Sequence, residues 1–481
     1  MTFLNKYERF TWLFLLVPIY LFLFLKLGTA HIRLWDEGWF SVHAVEMWKN
    51  NSWFVSYFDG QPSITSSKPP LQTWIQKLFI SVFGISELAL RLPSAIAAAI
   101  TSFLVFFTVK KQGGDLWALT AAMILLTSIG FVGFHTARGA EADSLLTLTL
   151  MLQAVSVFRF FETENKNWLI ALFLLIGISF WVKSMAGLLL LPGFAIYTLL
   201  MKRNAILNII TSWQFYTGII ILLIFIGSYL MLRESNQNGY LDYFFRSNVG
   251  RYSNSVGHDH SIGYYITHMM NGRFFWWMPL AVFGTVASFF QKDEWQSLAL
   301  FAGILSVSYL LVISFAKSKL VWYDMPVYPF AAISAAFGLK TAITNITSLQ
   351  MRRALMVSIF IFPCGKMFFH TQANTLTDAE RDFESQEIYL NKAFQKGVEM
   401  NGTVVLHDHF YGSMLFYKHK FESVGQQIEL SNAPDILKVN DKVLVKNSEH
   451  LQWIDKTYNV DTIGKLRTAV HLNLTSLKKD N

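Results

Sequence analysis

Phe10-Thr11-Trp12-Leu13-Phe14-Leu15-Leu16-Val17-Pro18-Ile19-Tyr20-Leu21-Phe22-Leu23-Phe24-Leu25-Lys26-Leu27 is an apolar run that ends shortly before Arg33-Leu34-Trp35-Asp36-Glu37-Gly38. About 17–25 apolar residues suffice to cross the hydrocarbon core of a bilayer. The run is longer than a usual signal-peptide core and no A-x-A-like site closes it, so it reads as an uncleaved span although Lys6 and Arg9 precede it. Asp36 and Glu37 then stand at a membrane–water boundary, where carboxylates must be solvated, paired or used. Read alone they are a wetted helix start, with Asp36 capping and Glu37 in the first turn. The rest of the chain weighs against so plain a role.

The chain has 481 residues, of which 53% are hydrophobic, 16% aromatic and 15% charged. Soluble domains carry about 25% charged residues, so this composition is that of an integral membrane protein. About eleven apolar runs have spanning length or close to it: Phe10–Leu27, Leu92–Val109, Leu116–Phe134, Leu145–Phe161, Trp168–Val182, Met185–Met201, Phe215–Leu232, Phe274–Phe290, Leu298–Phe315, Met325–Leu339 and Ala354–Phe369. The net charge of +8 needs no nucleic acid to explain it. Lys110, Lys111, Lys166, Lys202, Arg203, Lys292, Arg352 and Arg353 fall in the loops that become cytoplasmic if the N-terminus is inside, as the positive-inside rule requires. An odd number of crossings then puts the C-terminus outside. The single cysteine, Cys364, excludes an intramolecular disulfide framework and a Cys-based metal site.

Two outer segments are long. Residues 28–90 include Trp35, Trp39, Trp48, Trp53 and Trp74, and amphipathic pieces such as Ser41–Lys49 predict helices lying on the membrane interface. From about Thr371 the composition becomes that of a soluble domain. Phe383–Met400 has helical periodicity, and Thr403–Leu406 and Lys442–Val445 read as short strands. The expected architecture is therefore a polytopic α-helical membrane domain, residues 1–370, followed by a small extracytoplasmic soluble α/β domain, residues 371–481.

Topology accounts for the inner cations but not for the outer charges. Asp36, Glu37, Lys68, Arg138, Glu141, Asp143, Lys183, Arg246, Arg251, His258, Asp259, His260, Lys317 and Lys319 all fall on the outer side, mostly at helix ends. Each alone is explained by snorkelling or solvation. Together they have the composition of a wet cavity that holds an anionic phosphate while a carboxylate moves a proton.

Arg33-Leu34-Trp35-Asp36-Glu37, Lys68-Pro69-Pro70-Leu71, Glu87-Leu88-Ala89-Leu90-Arg91-Leu92-Pro93-Ser94 and Lys317-Ser318-Lys319-Leu320-Val321-Trp322-Tyr323 resemble, in order, the motifs of the polyprenyl-phosphate-sugar-dependent glycosyltransferases of the GT-C class. The nearest likeness is to the lipid A aminoarabinose transferase and dolichyl-phosphate-mannose protein mannosyltransferase families, over roughly residues 1–340. The resemblance implies Asp36 as general base, with Glu37 beside it and Asp143 as a second acid. It implies Lys68, Lys183, Arg246, Arg251, Lys317 and Lys319 as candidates for holding the donor phosphate, and Arg138 and Tyr323 as further site residues. Val182-Lys183-Ser184 stands where the family has Thr-Lys-Gly. His258 falls on the family's metal-binding histidine, with His260 beside it. The glutamate that helps hold zinc in the aminoarabinose transferases is replaced by Ser67, so a zinc, magnesium or manganese ion stays an open alternative and no cofactor is certain.

The function so implied is inverting transfer of a pentose or hexose from an undecaprenyl-phosphate-type donor to a hydroxyl or phosphate of a lipid, glycan or protein acceptor. It would act as a monomer at the outer face of a bacterial inner membrane. Polyprenyl phosphate is a good leaving group, so cations can replace a general acid and one carboxylate suffices, unlike the two of hydrolases. The alternative is a transporter or flippase of a lipid-linked saccharide. Repeated halves with matching broken spans mark many transporters, and none is visible in the sequence. A structural subunit of an envelope complex would have no need of Asp36.

Overall fold

In lipid every backbone N–H and C=O must find its partner within the segment, so apolar runs become helices. The computed structural model describes residues 8–64, 68–253, 259–293, 295–344, 346–373 and 376–478, with backbone alone at 8, 9, 249, 251–253, 349, 353 and 373. Each expected run lies on helical structure. Among the described residues six helices are long and apolar enough to cross a membrane: Glu87–Leu126, Asp143–Thr163, Asn167–Leu188, Trp213–Asn236, Gln296–Phe315 and Gln350–Gln372. Four shorter apolar helical segments join them, at Phe10–Phe24, Leu191–Met201, Met278–Phe290 and Val327–Ile343.

The first long helix holds two of the expected runs, broken at Gly114, whose φ of 80° and ψ of 177° suit only glycine. The tight pair around Lys183 and Ser184 is a helix at Asn167–Lys183, a short 3₁₀ turn at Ser184–Leu188 and a second helix at Leu191–Met201. Helices Met278–Phe290 and Val327–Ile343 cross at Gly284 and Gly338. A Cβ at Gly284 would lie 1.9 Å from the Ser334 carbonyl oxygen, the close approach that small residues permit between membrane helices. Ile220, Leu223, Ile224 and Met231 are exposed along Trp213–Asn236, as a lipid-facing helix requires.

The chain divides into two compact units. The first is residues 1–25, 64–72 and 93–373; the second is 26–63, 73–92 and 374–481. The second unit thus joins residues 26–63 and 73–92 to the C-terminal stretch from 374.

Within the second unit, Thr403–Leu406 (β3), Ile428–Ser431 (β4), Lys442–Val445 (β5), Tyr458–Leu466 (β6) and Ala469–Leu477 (β7) form one sheet in the order β4-β3-β5-β7-β6. The earlier pair Ser56–Phe58 (β1) and Gln61–Ser63 (β2) is a separate antiparallel hairpin. Strand β3 is parallel to β4 and β5, and it is buried along its length, which explains its unbroken apolar sequence. Strand β7 runs antiparallel to both β5 and β6. Val404, Leu406, Val443, Val445, Ile454 and Leu472 form the core under this sheet. The helix expected at Phe383–Met400 is split and shorter. A capping box between Thr377 and Glu380 starts Asp378–Phe383, then Ser385–Gln395 follows, and Gly397 with φ 65° ends the helical path.

The interfacial helix expected at Ser41–Lys49 needs correction. It belongs to helix Asp36–Lys49, which buries ten residues from Glu37 to Met47 instead of lying half in lipid. Its polar groups have protein partners: Glu46 meets His419 at 2.8 Å, while Lys49 meets Glu422 at 2.7 Å. A Cβ at Gly38 would lie 2.7 Å from the Ser413 backbone nitrogen, so only glycine admits this approach. Lys420 binds both oxygens of Glu87 at 2.7 and 2.6 Å. The Tyr417 hydroxyl donates to Glu87 and accepts from the Ile32 N–H at 3.0 Å. Burial alone would raise the Glu384 carboxyl, but His31 and Arg33, both 2.7 Å away, outweigh it and hold the group below its ordinary value.

Candidate active site

Helix ends place the charges of the first unit. Asp143 is the first residue of helix Asp143–Thr163, where the helix dipole favours an anion. Lys183 is the last residue of Asn167–Lys183, where the dipole favours a cation. The Lys183 Nζ lies 2.5 Å from the Asp143 Oδ1 and 4.7 Å from the centre of the Tyr323 ring. Both charged residues line a cavity of about 190 Å³ together with Lys68, Asn248, Tyr309 and Tyr323. Leu146, Leu189, Val312 and Ile313 supply an apolar wall. Ser184, just after the lysine, has φ 54° and ψ −133°, a conformation that favours glycine. Its hydroxyl donates to the Asn248 Oδ1 at 3.2 Å.

The structure therefore brings together Lys68, Asp143, Lys183 and Tyr323 of the expected residues. Others lie elsewhere. Arg246 is exposed and pairs with Asp242 one helical turn away, at 2.9 Å. Lys317 is exposed. Lys319 is buried and donates to the His260 carbonyl oxygen at 2.8 Å, which fastens two loops. Arg138 donates to the carbonyls of Phe22 and Leu25 at 3.1 and 3.0 Å, a cap for the end of the first helical segment. Glu141 holds His135 at 2.7 Å, and His135 stacks on Trp322 at 4.0 Å, so this set steadies the turn that carries Tyr323. The Arg251 side chain, His258 and Ser67 lie outside the described residues. His260 is exposed and stacks on Tyr264 at 4.2 Å. Among the described residues no three His, Cys, Asp or Glu side chains converge as a metal site. Those residues do not fit a metal centre.

Asp36 and Glu37 lie in the second unit and differ sharply. Asp36 opens helix Asp36–Lys49 and is half-buried, and Trp35 before it has φ 65° and ψ −118°. Glu37 is fully buried. Its Oε1 receives the Arg91 Nε at 2.7 Å, and its Oε2 receives Nη2 at 2.9 Å and the Arg33 N–H at 2.8 Å. Glu37, expected as the companion of Asp36, is thus held by Arg91 and the Arg33 N–H and fixes the turn ahead of Asp36.

Sequence reading missed Tyr309 and Asn248. Tyr309 was hidden in an apolar run, where a buried hydroxyl is the only cue. It also missed a buried cluster in which Asp324 receives Arg273 at 2.6 Å and the Tyr328 hydroxyl at 2.5 Å. Arg273 reaches the Gly130 carbonyl as well, at 3.3 Å, so the cluster ties together segments far apart in sequence.

Comparisons with known proteins bear on this arrangement. Residues 67–230 match the family model for dolichyl-phosphate-mannose-protein mannosyltransferase. A putative mannosyltransferase of Bacillus subtilis is 32% identical over 154 residues, which is 32% of this chain but 22% of that protein. The undecaprenyl phosphate-alpha-4-amino-4-deoxy-L-arabinose arabinosyl transferase of Shewanella sediminis is 21% identical over 340 residues, 69% of this chain and 60% of that enzyme. These matches thus span less than two thirds of either relative. The crystal structure of ArnT from Cupriavidus metallidurans bound to undecaprenyl phosphate superposes with a TM-score of 0.71 at 15% identity, over 96% of this chain and 97% of that one. That likeness establishes a shared multi-pass helical fold over nearly the whole chain. Motifs, family match and fold agree on one class: the chain is similar to the GT-C glycosyltransferases, with mannosyltransferases and aminoarabinose transferases among its relatives.

Proposed function

We propose that the protein transfers a sugar, pentose or hexose, from a polyprenyl phosphate of the undecaprenyl kind to an acceptor hydroxyl. The observation that carries this reading is the Asp143–Lys183 pair, which lines a cavity together with Lys68 and apolar side chains. A lipid phosphate needs that combination: cations for its head and an apolar approach for its chain. Lys68 and Lys183 hold the phosphate, and Asp143 fixes the direction of the Lys183 ammonium. The motif resemblance assigns to Asp36 the proton of the acceptor hydroxyl. The acceptor oxygen bonds to the anomeric carbon from the face opposite the phosphate, and the bond from that carbon to the phosphate oxygen breaks with its electron pair. The charge left on the phosphate rests on the two lysines, so no general acid is required.

In this reading the N-terminus faces the cytoplasm, and the second unit, including residues 374–481, stands outside the membrane. The protein works as a monomer. The test is single-turnover chemistry with purified protein and an undecaprenyl phosphate carrying a radiolabelled sugar. Label appearing on a hydroxyl acceptor, with release of undecaprenyl phosphate, is the expected result. Donor that crosses a vesicle membrane with its sugar bond intact would replace the reading by a flippase.

A further inference from the structure

Aromatic rings from three distant stretches meet in the second unit. Trp35 and Trp39 come from the start of helix Asp36–Lys49, Phe58 from β1, and Phe410 and Tyr411 from the loop after β3. Phe410 is the hub. Trp35 stacks on it at 5.5 Å with the planes 11° apart, and Trp39 and Phe58 lie 5.8 and 5.9 Å away. Trp39 and Phe58 also stack on each other at 4.9 Å. Trp35 remains 59% exposed on the outside of this stack. An exposed carboxylate accompanies the rings: Asp59 accepts from the Tyr411 hydroxyl at 3.2 Å.

We propose that this stack is a docking platform for an uncharged pyranose ring of the acceptor, so that the sugar is passed to a saccharide hydroxyl and not to a phosphate. The inference rests on the transfer reading above and names its acceptor class. A pyranose has one face of C–H bonds, slightly positive, and a rim of hydroxyls. The C–H face lies flat on an indole, whose face is electron-rich. The hydroxyls donate to a carboxylate such as Asp59. A phosphorylated acceptor would be repelled by the same group.

Tryptophans of a membrane-interface belt need no ring partners. Here a strained backbone at Trp35, with φ 65°, presents the indole on a stack built from three segments. Trp35 and Trp39 also bracket Asp36 in the chain, which puts the platform on the same helical turn as the proposed base.

Saturation-transfer NMR on the full-length protein in nanodiscs tests this. The probes are the methyl glycosides of glucose, galactose, mannose and N-acetylglucosamine, with methyl phosphate as the anionic control and undecaprenyl phosphate binding measured in parallel. Ring C–H protons of at least one glycoside should receive saturation, and methyl phosphate should not compete. Trp35→Ala should weaken that glycoside roughly tenfold, and Trp35→Phe should restore most of the loss. A folded wild type that binds undecaprenyl phosphate but no glycoside overturns the platform alone. Unchanged glycoside binding in Trp35→Ala also overturns it, as does competition by methyl phosphate. A protein that binds neither the lipid phosphate nor a glycoside overturns the transfer reading as well.

Discussion

Two carboxylate–cation pairs, one in each unit, are chemically alike and differ in their surroundings. Glu37 and Arg91 are saturated. The five guanidinium N–H groups of Arg91 go to Glu37 twice and to the carbonyls of Leu27, Ala30 and His31. Asp143 and Lys183 meet through one oxygen and one ammonium, and both line a cavity. Saturation leaves nothing for a ligand, and it marks Glu37–Arg91 as framework. A pair that lines a cavity can exchange partners, which a phosphate site requires. Burial and charge alone do not separate the two, whereas the saturated guanidinium of one and the cavity lined by the other do.

The sharpest way to break this comparison uses the neighbours Asp36 and Glu37. Asp36→Asn keeps size and hydrogen bonding but removes the proton acceptor, and should slow transfer by roughly 10²–10⁴-fold. Its thermal unfolding should stay near wild type. Glu37→Gln should show the opposite pattern, with lost stability. Near-normal turnover by Asp36→Asn would falsify the assignment of the base.

Arg91→Met comes next. It leaves Glu37 buried without its cation and strands three carbonyls, and breaking such a pair costs about 3–5 kcal/mol. Denaturant unfolding in detergent measures it. The double variant Glu37→Leu with Arg91→Met should regain part of the loss. A single variant as stable as wild type would show that the saturated pair is not framework.

Much of this was legible in the sequence, and what was not has physical causes. The runs were readable because a bilayer demands a fixed length of apolar helix. Lys68, Asp143 and Lys183 were singled out by the motif resemblance, and the structure gathers them around one cavity. Arg246, Arg138 and Lys319 have the same signature, and only geometry shows that Asp242 and backbone carbonyls absorb them. The helix at Asp36 was read as interfacial because its tryptophans suit a membrane surface. Its burial depends on Glu87, Arg91 and residues beyond 374, which are distant along the chain. Tyr309 gave little signal because one hydroxyl barely interrupts an apolar helix.

A third buried carboxylate extends the comparison, since its geometry shows no close cation. Burial pushes Glu387 up to about 7 from 4.5, while the Ser413 hydroxyl, at 3.0 Å, relieves it only in part. A carboxyl whose folded value is raised is easiest to bury when protonated. Its contribution is therefore complete below pH about 4.5, the unfolded value, and is lost as pH rises through about 7. Wild type should lose on the order of 2–3 kcal/mol over that window from this group. Glu387→Gln should flatten this part of the profile, as read by unfolding at pH 5 and pH 8. An equal slope in both proteins would remove Glu387 as the cause.

At the open pair the expected change is smaller. Lys183→Ala removes one of two cations from the cavity and should weaken undecaprenyl phosphate roughly tenfold, about 1.4 kcal/mol. Asp143→Asn keeps the cation but loosens its aim, so affinity should fall less than in Lys183→Ala. Isothermal titration with the lipid phosphate separates the two. Equal affinity in wild type and Lys183→Ala would move the phosphate off this pair.

The smallest effect concerns Ser184, and its sign tests how the pair is aimed. At φ 54° and ψ −133° a side chain at this position strains the backbone by about 1–3 kcal/mol, while glycine adopts it freely. Two terms oppose the gain from Ser184→Gly. The unfolded chain becomes freer, which costs about 0.4–1 kcal/mol, and the hydroxyl that donates to Asn248 is lost, about 0.5–1.5 kcal/mol. The net should be within about 1 kcal/mol of zero, with phosphate affinity retained, because the turn that aims Lys183 keeps its shape. The family's Thr-Lys-Gly pattern has glycine at this place, in keeping with such a backbone. Ser184→Val has no such relief. A β-branched side chain adds clash and cannot donate to Asn248, so both stability and undecaprenyl phosphate affinity should fall together. If glycine instead lost affinity while valine kept it, Lys183 would owe its aim to the serine hydroxyl and not to the strained turn.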